Sequence, residues 1–195
     1  MFAINHCTIT PVRSQPSEAS EQLTQLLWGE VCEVLDNLPR WTKIRSTLDG
    51  QEGWVDFKML TPIHSHLSPL TSNLSPIISP IAIATSMEDG QELMLTMGTR
   101  LPNYEHGTFE MLGKQYIIDP AAVNSDIQHS DLIAIAKSLL NAPYLWGGRM
   151  PWALIVRDSR KWYMLPWALI YCVMHGSRLP RERLSLLCNR LCLET

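Results

Sequence analysis

The stretch "RWTKIRSTLDGQEGWVDFKML" (Arg40–Leu60) decides the fold of the N-terminal part of this chain. "KIRSTL" and "GWVDF" alternate apolar and polar residues with period 2 on either side of Asp49-Gly50, a strong two-strand hairpin signal. Working outward, "CTITPVR" (Cys7–Arg13) and "EVCEVLD" (Glu30–Asp36) read as further strands, and "SQPSEAS" and "DNLP" supply the loops between them. Several short, tightly turned strands within residues 1–62 predict a small β-barrel.

Beyond it, "SHLSPLTSNLSPIISP" (Ser65–Pro80) repeats Ser-Pro and cannot donate a full ladder of backbone hydrogen bonds. Residues 63–80 are therefore expected to be a linker or extended connection. A second run of short strands follows to about Val123, with turns at Gly98, Gly107 and Gly113. Residues 81–124 read as a diverged second copy of the first module, sharing pattern more than identity. The period then changes to 3.6: Leu132, Ile133, Ala136, Leu139 and Leu140 lie on one face, Ser130 is placed as N-cap, and Asn141 and Pro143 end the run. A helix from about Asp131 to Leu140 is predicted.

Composition narrows the function classes. The chain has 195 residues, 46% hydrophobic and 18% charged, with a net charge of −3, so it is globular in type and carries no basic footprint for nucleic acid. "MFAINHCTITPVRSQP" lacks a basic n-region and an apolar h-region, so as written the chain is expected to stay in the cytoplasm. The apolar stretch Trp162–Met174 is about 13 residues long and contains Pro166, against roughly 20 for a membrane span, so no span is expected. Five cysteines without paired spacing argue against a disulfide framework. Cys188 and Cys192 lack a second ligand pair, and His64 and His66 lack a third ligand, so no metal and no cofactor is expected. Trp28, Trp41 and Trp54 could line a groove, but aromatic residues of a small barrel more often fill its core or stack on its edge; Trp41 is assigned to that role and Trp54 is left open.

Two segments carry a family resemblance. "TPVRSQPSEASEQLTQLLWGEVCEVL" together with the stretch around Asp49-Gly50 resembles the bacterial SH3-type domain, in which P-V-R-x-x-P-S, a G-E before a strand and a final G-W-V recur. The predicted helix followed by "PYLWGGR" (Pro143–Arg149) resembles the opening of the NlpC-type cell-wall cysteine peptidases. The resemblance implies a mainly β chain: two SH3-like barrels followed by the first helix of an α+β papain-like peptidase domain beginning at residue 125. In the two-barrel subgroup it implies an enzyme cutting murein peptides between D-glutamate and the diamino acid. Murein peptide fragments are the implied ligand, and such enzymes are often exported or held in the cell envelope. The candidate substrate-binding residues are Glu30, Trp54, Tyr144, Trp146 and Arg149. The resemblance implies for Glu30 a contact with a substrate's free amine; a solvated strand end is the simpler expectation.

The family continues with W-G-I-D-C-S-G-F, whose Cys is the nucleophile, but here Trp152 is followed by Ala153-Leu-Ile-Val-Arg-Asp-Ser159. Acyl transfer by this route needs a thiolate of lowered pKa, which no residue of 153–159 supplies. Nor does a later His or orienting residue match the family pattern before Thr195; His175 is too near, and Ser159, Asp158 and His175 have the letters of a triad without its geometry. Loss of one base after codon 151 converts codons for Trp-Gly-Ile-Asp-Cys-Ser-Gly-Phe into codons for Trp152–Ser159. Trp167–His175 fits a second family segment in the same displaced frame. Residues 153–195 are thus expected to be a frame-shifted tail on a truncated, inactive chain. A non-enzymatic SH3-like module binding peptidoglycan peptides or a protein partner is the alternative.

Overall fold

The computed structural model describes residues 1–63, 74–124, 143 and 145–150, and the backbone of 153–154. The first unit is built from β1 (Phe2–Asn5), β2 (Ile9–Arg13), β3 (Gln22–Leu27), β4 (Val31–Asn37), β5 (Trp41–Ser46), β6 (Glu52–Asp56) and β7 (Leu60–Ile63). They form one antiparallel sheet in the order β3-β2-β6-β5-β4-β1-β7. Bulges between Val12 and Arg13 and between Val34 and Asp36 bend the sheet onto itself. The Asp49-Gly50 hairpin forms between β5 and β6, with the Gly50 N–H donating to Ser46 O and the Ser46 N–H to Gln51 O. Inside lie Ala3, Val12, Leu26, Cys32, Ile44 and Val55. Trp41 is buried on the barrel's edge with the Arg40 guanidinium 5.6 Å from its ring centre.

The second unit comprises β8 (Leu74–Pro76), β9 (Ile81–Ser86), β10 (Glu92–Thr96), β11 (Arg100–Pro102), β12 (Thr108–Met111) and β13 (Lys114–Ile118). Its sheets run β10-β9-β13-β12 and β11-β8. The chain path repeats that of the first unit. Gly29 N–H donates to Asn5 O and Trp28 N–H to Thr8 O; Gly98 N–H donates to Ile77 O and Met97 N–H to Pro80 O. A single 3-10 turn closes each unit, Phe57–Met59 capped by Asp56 and Pro120–Ala122 capped by Asp119. The six residues Ser46–Gln51 and Ser86–Gln91 also make the same turn, yet the first joins β5 to β6 and the second β9 to β10.

The connection expected over 63–80 needs correction at both ends. Ile63 ends β7 and is buried, Leu74–Pro76 pairs with Arg100–Pro102, and Ile77 is buried. A ladder of three residues needs few donors, so the prolines that argued against a strand fit in one that is short and lies in a two-stranded sheet. The expected helix over 131–140 and the tail beyond residue 154 lie outside the described residues.

One core runs through both units. Ile4, Trp28, Val31 and Ile63 of the first pack with Ile77, Leu95, Leu101, Phe109 and Ile118 of the second, among others. Trp28 is 4% exposed. Its ring meets Phe109 at 5.8 Å and Tyr116 at 5.9 Å, both edge to face, while Phe109 and Tyr116 stack 5.2 Å apart. Gly29, with φ of 78°, lets the backbone turn directly behind this ring, and a Cβ there would lie 2.9 Å from Met111 Cε.

Trp28→Ala is therefore expected to destabilise the chain by about 3–5 kcal/mol, the usual cost of emptying a buried Trp site. In urea unfolding followed by circular dichroism the midpoint should fall, and strands of both units should lose amide protection. Protection lost in the first unit alone would show that the cores are independent.

Candidate functional site

The Trp146–Arg149 part of the motif comes to rest on the open edge of the first barrel. β3 ends its sheet, so its outer side needs another partner for its polar groups. Residues 145–150 lie there. Trp146 and Gly147 form a turn in which the Gly148 N–H donates to Leu145 O at 2.9 Å. The Gln22 amide donates to Trp146 O at 2.9 Å, and the Arg149 N–H donates to Gln25 Oε1 at 2.8 Å. Gly147 has φ of 70°, and a Cβ there would come within 2.8 Å of Gln22 O. β14 (Arg149–Met150) then pairs with β15 (Ala153–Leu154), so this hairpin crosses the boundary expected after Trp152.

The Arg149 side chain completes the contact. Its two terminal nitrogens donate to Glu30 Oε1 and Oε2, each at 2.7 Å, and one also donates to Gln25 O at 2.7 Å. The Leu27 N–H donates to Glu30 Oε2 at 3.1 Å. The side chains of Arg149 and Glu30 are only 14% and 11% exposed. A fork-to-fork pair so shielded is held far more firmly than a surface ion pair. Glu30 is thus not the solvated strand end that the sequence suggests.

Of the other candidate residues, Trp146 is 49% exposed at the turn, and Trp54 is half-buried on β6 between Arg13 and Lys43. Tyr144 lies outside the described residues. The structure brings Glu30, Arg149 and Trp146 to one edge and leaves Trp54 outside this contact. Sequence reasoning missed Gln22 and Gln25. Gln25, buried in an otherwise apolar end of β3, carries a readable signal, because a buried amide in a strand needs a polar partner.

The Cys32 thiol is not set up as a nucleophile. Cys32 is buried, and its thiol is pushed up to about 12 by burial and then by the Glu30 carboxylate. Among the described residues no cluster of His, Cys, Asp or Glu could hold a metal ion, and no helix is long and apolar enough to cross a membrane. Away from the turn, a cavity of about 290 Å³ opens between the barrels, lined by His6, Trp28, Glu92, Lys114 and Tyr116 among others.

Comparison with known proteins agrees with this architecture. Residues 10–61 match the family model of the bacterial SH3 domain. No curated protein sequence matches the chain. An NlpC/P60 family protein from Bacillus cereus ATCC 10987 superposes with a TM-score of 0.72 at 18% identity, over 93% of this chain and 74% of that one. An NlpC/P60 endopeptidase from Photobacterium damselae subsp. piscicida gives a TM-score of 0.60 at 17% identity, over 92% of this chain and 44% of that one. The chain is mainly β, contains a bacterial SH3 domain and shares its fold with proteins of the NlpC/P60 family.

The raised Cys32 thiol makes two measurements decisive. At pH 8 iodoacetamide should leave Cys32 unmodified in the native chain and modify it in urea, as read by peptide mass spectrometry. An unfolded thiol ionises near 9.0, so above that pH the unfolded state sheds a proton that the folded state keeps. Stability is then lost as pH rises from 9.0 towards about 12, and Cys32→Val should flatten that part of the profile.

Proposed function

We propose that this chain is a catalytically inactive relative of the murein-peptide endopeptidases that cut between D-glutamate and the diamino acid. The shared fold, the bacterial SH3 domain and the Trp-Gly-Gly-Arg turn docked on it support the relationship. One observation carries the inactivity: Ala153-Leu-Ile-Val-Arg-Asp-Ser159 contains no cysteine where the family pattern needs a thiolate. Cys32 does not replace it, since its proton is held up to about pH 12. A one-base deletion after codon 151 is the cause we propose, since codons for Val156–Ser159 are compatible with Cys-Ser-Gly-Phe in the displaced frame.

A second reading has its own support. The two barrels share one core and leave a cavity between them, so the pair is a self-sufficient unit that could present murein peptides or a protein partner without cutting anything. Calorimetric titration with a murein tripeptide tests this reading, which expects binding without turnover.

Activity and repair test the first. The purified chain should release no product from murein tripeptide or tetrapeptide above the buffer rate, and alkylation should change nothing; turnover abolished by alkylation would overturn the reading. Reinserting one G after codon 151 should restore Trp-Gly-Ile-Asp-Cys-Ser-Gly-Phe and thiol-dependent endopeptidase activity. A stop codon immediately downstream in the restored frame would refute the frameshift.

A further inference from the structure

We propose that the β3 edge and Glu30 of the first barrel form a recognition site for a Gly-x-Arg peptide segment, occupied by the chain's own residues 145–150. Glu30 is on this basis a positioning residue. The site is assembled from elements of the barrel itself: the Leu27 N–H fixes one Glu30 oxygen, the Gln25 carbonyl faces outward from the edge strand, and the Gln22 and Gln25 amides flank it. Each feature selects one property of the occupant. The Gln22 amide needs a carbonyl, which residue 146 offers. At 147 the closeness of Gln22 O excludes any side chain, and the positive φ favours glycine again. At 149 three acceptor oxygens, Glu30 Oε1, Glu30 Oε2 and Gln25 O, converge within 2.7 Å of two guanidinium nitrogens. An ammonium group is a point charge and cannot match that fork, so lysine is a poor substitute.

Both Glu30 oxygens are engaged by Arg149 in this arrangement, and their near-burial makes an unpaired carboxylate costly. The carboxylate therefore sets where the Trp146-Gly147 turn stands instead of receiving an amine from outside. This rests on the contact geometry alone and holds whether or not the chain descends from a peptidase.

Hydrogen exchange of the full-length chain, read by mass spectrometry, tests the site. Arg149→Ala, Glu30→Gln and Gly147→Val should each speed exchange in peptides covering 145–150 by about tenfold or more, the scale of a lost charge-assisted hydrogen bond. Arg149→Lys should fall between Arg149→Ala and the unaltered chain. Peptides covering β5 and β6 should be unchanged, which separates loss of the turn from loss of the barrel. If Arg149→Ala also loosens β5 and β6, the isosteric Glu30→Gln decides the outcome through residues 145–150 alone. Exchange over 145–150 that is the same in Glu30→Gln as in the unaltered chain would overturn the proposal.

Discussion

The joining of the two barrels depends on the burial of one indole ring. Trp28 leaves its own barrel and enters the aromatic pair of the next, meeting Phe109 and Tyr116 edge to face. Aromatic contacts of this kind add roughly 0.5–1.5 kcal/mol each beyond the area they bury. The larger effect is geometric, because the ring lies in a cluster that both barrels share, beside the first barrel's own core. Units of this size bury too little surface to be comfortable alone, and sharing a core raises the buried fraction of both.

The two residues after Trp28 extend its influence. Gly29 turns the backbone at a positive φ that other residues rarely adopt, and this turn delivers Glu30 to the open edge of β3. There the carboxylate meets Arg149, 119 positions further along the chain. Trp28-Gly29-Glu30 thus connects the second barrel on one side and the Trp-Gly-Gly-Arg turn on the other. A substitution at Gly29 would disturb both contacts at once.

How much of this could be read beforehand follows from the range of each interaction. The hairpin at Asp49-Gly50 was legible because turn chemistry and period-2 alternation are local properties. The same holds for the Gly-Gly turn, whose residue types were conspicuous although their partner was not. Leu74–Pro76 was misread as connection because its prolines argue against a ladder in general, while the actual ladder is only three residues long. The partners of Trp28 and Glu30 were beyond reach, since neither Phe109 nor Arg149 leaves a mark on the sequence around residue 28. Gln25 went unread, although an amide amid leucines in a strand is a signal for a polar partner.

The recurrence of one six-residue turn at unequal places has a consequence for aligning the two units. Ser46–Gln51 and Ser86–Gln91 share Ser, Asp, Gly and Gln at matching positions, and any alignment guided by letters will superimpose them. That alignment sets β5 and β6 against β9 and β10, whereas the hydrogen bonds at Gly29 and Gly98 set β2 and β3 against β9 and β10. The likeness of the two turns therefore does not mark equivalent positions, which are given by the paired strands and the closing 3-10 turns.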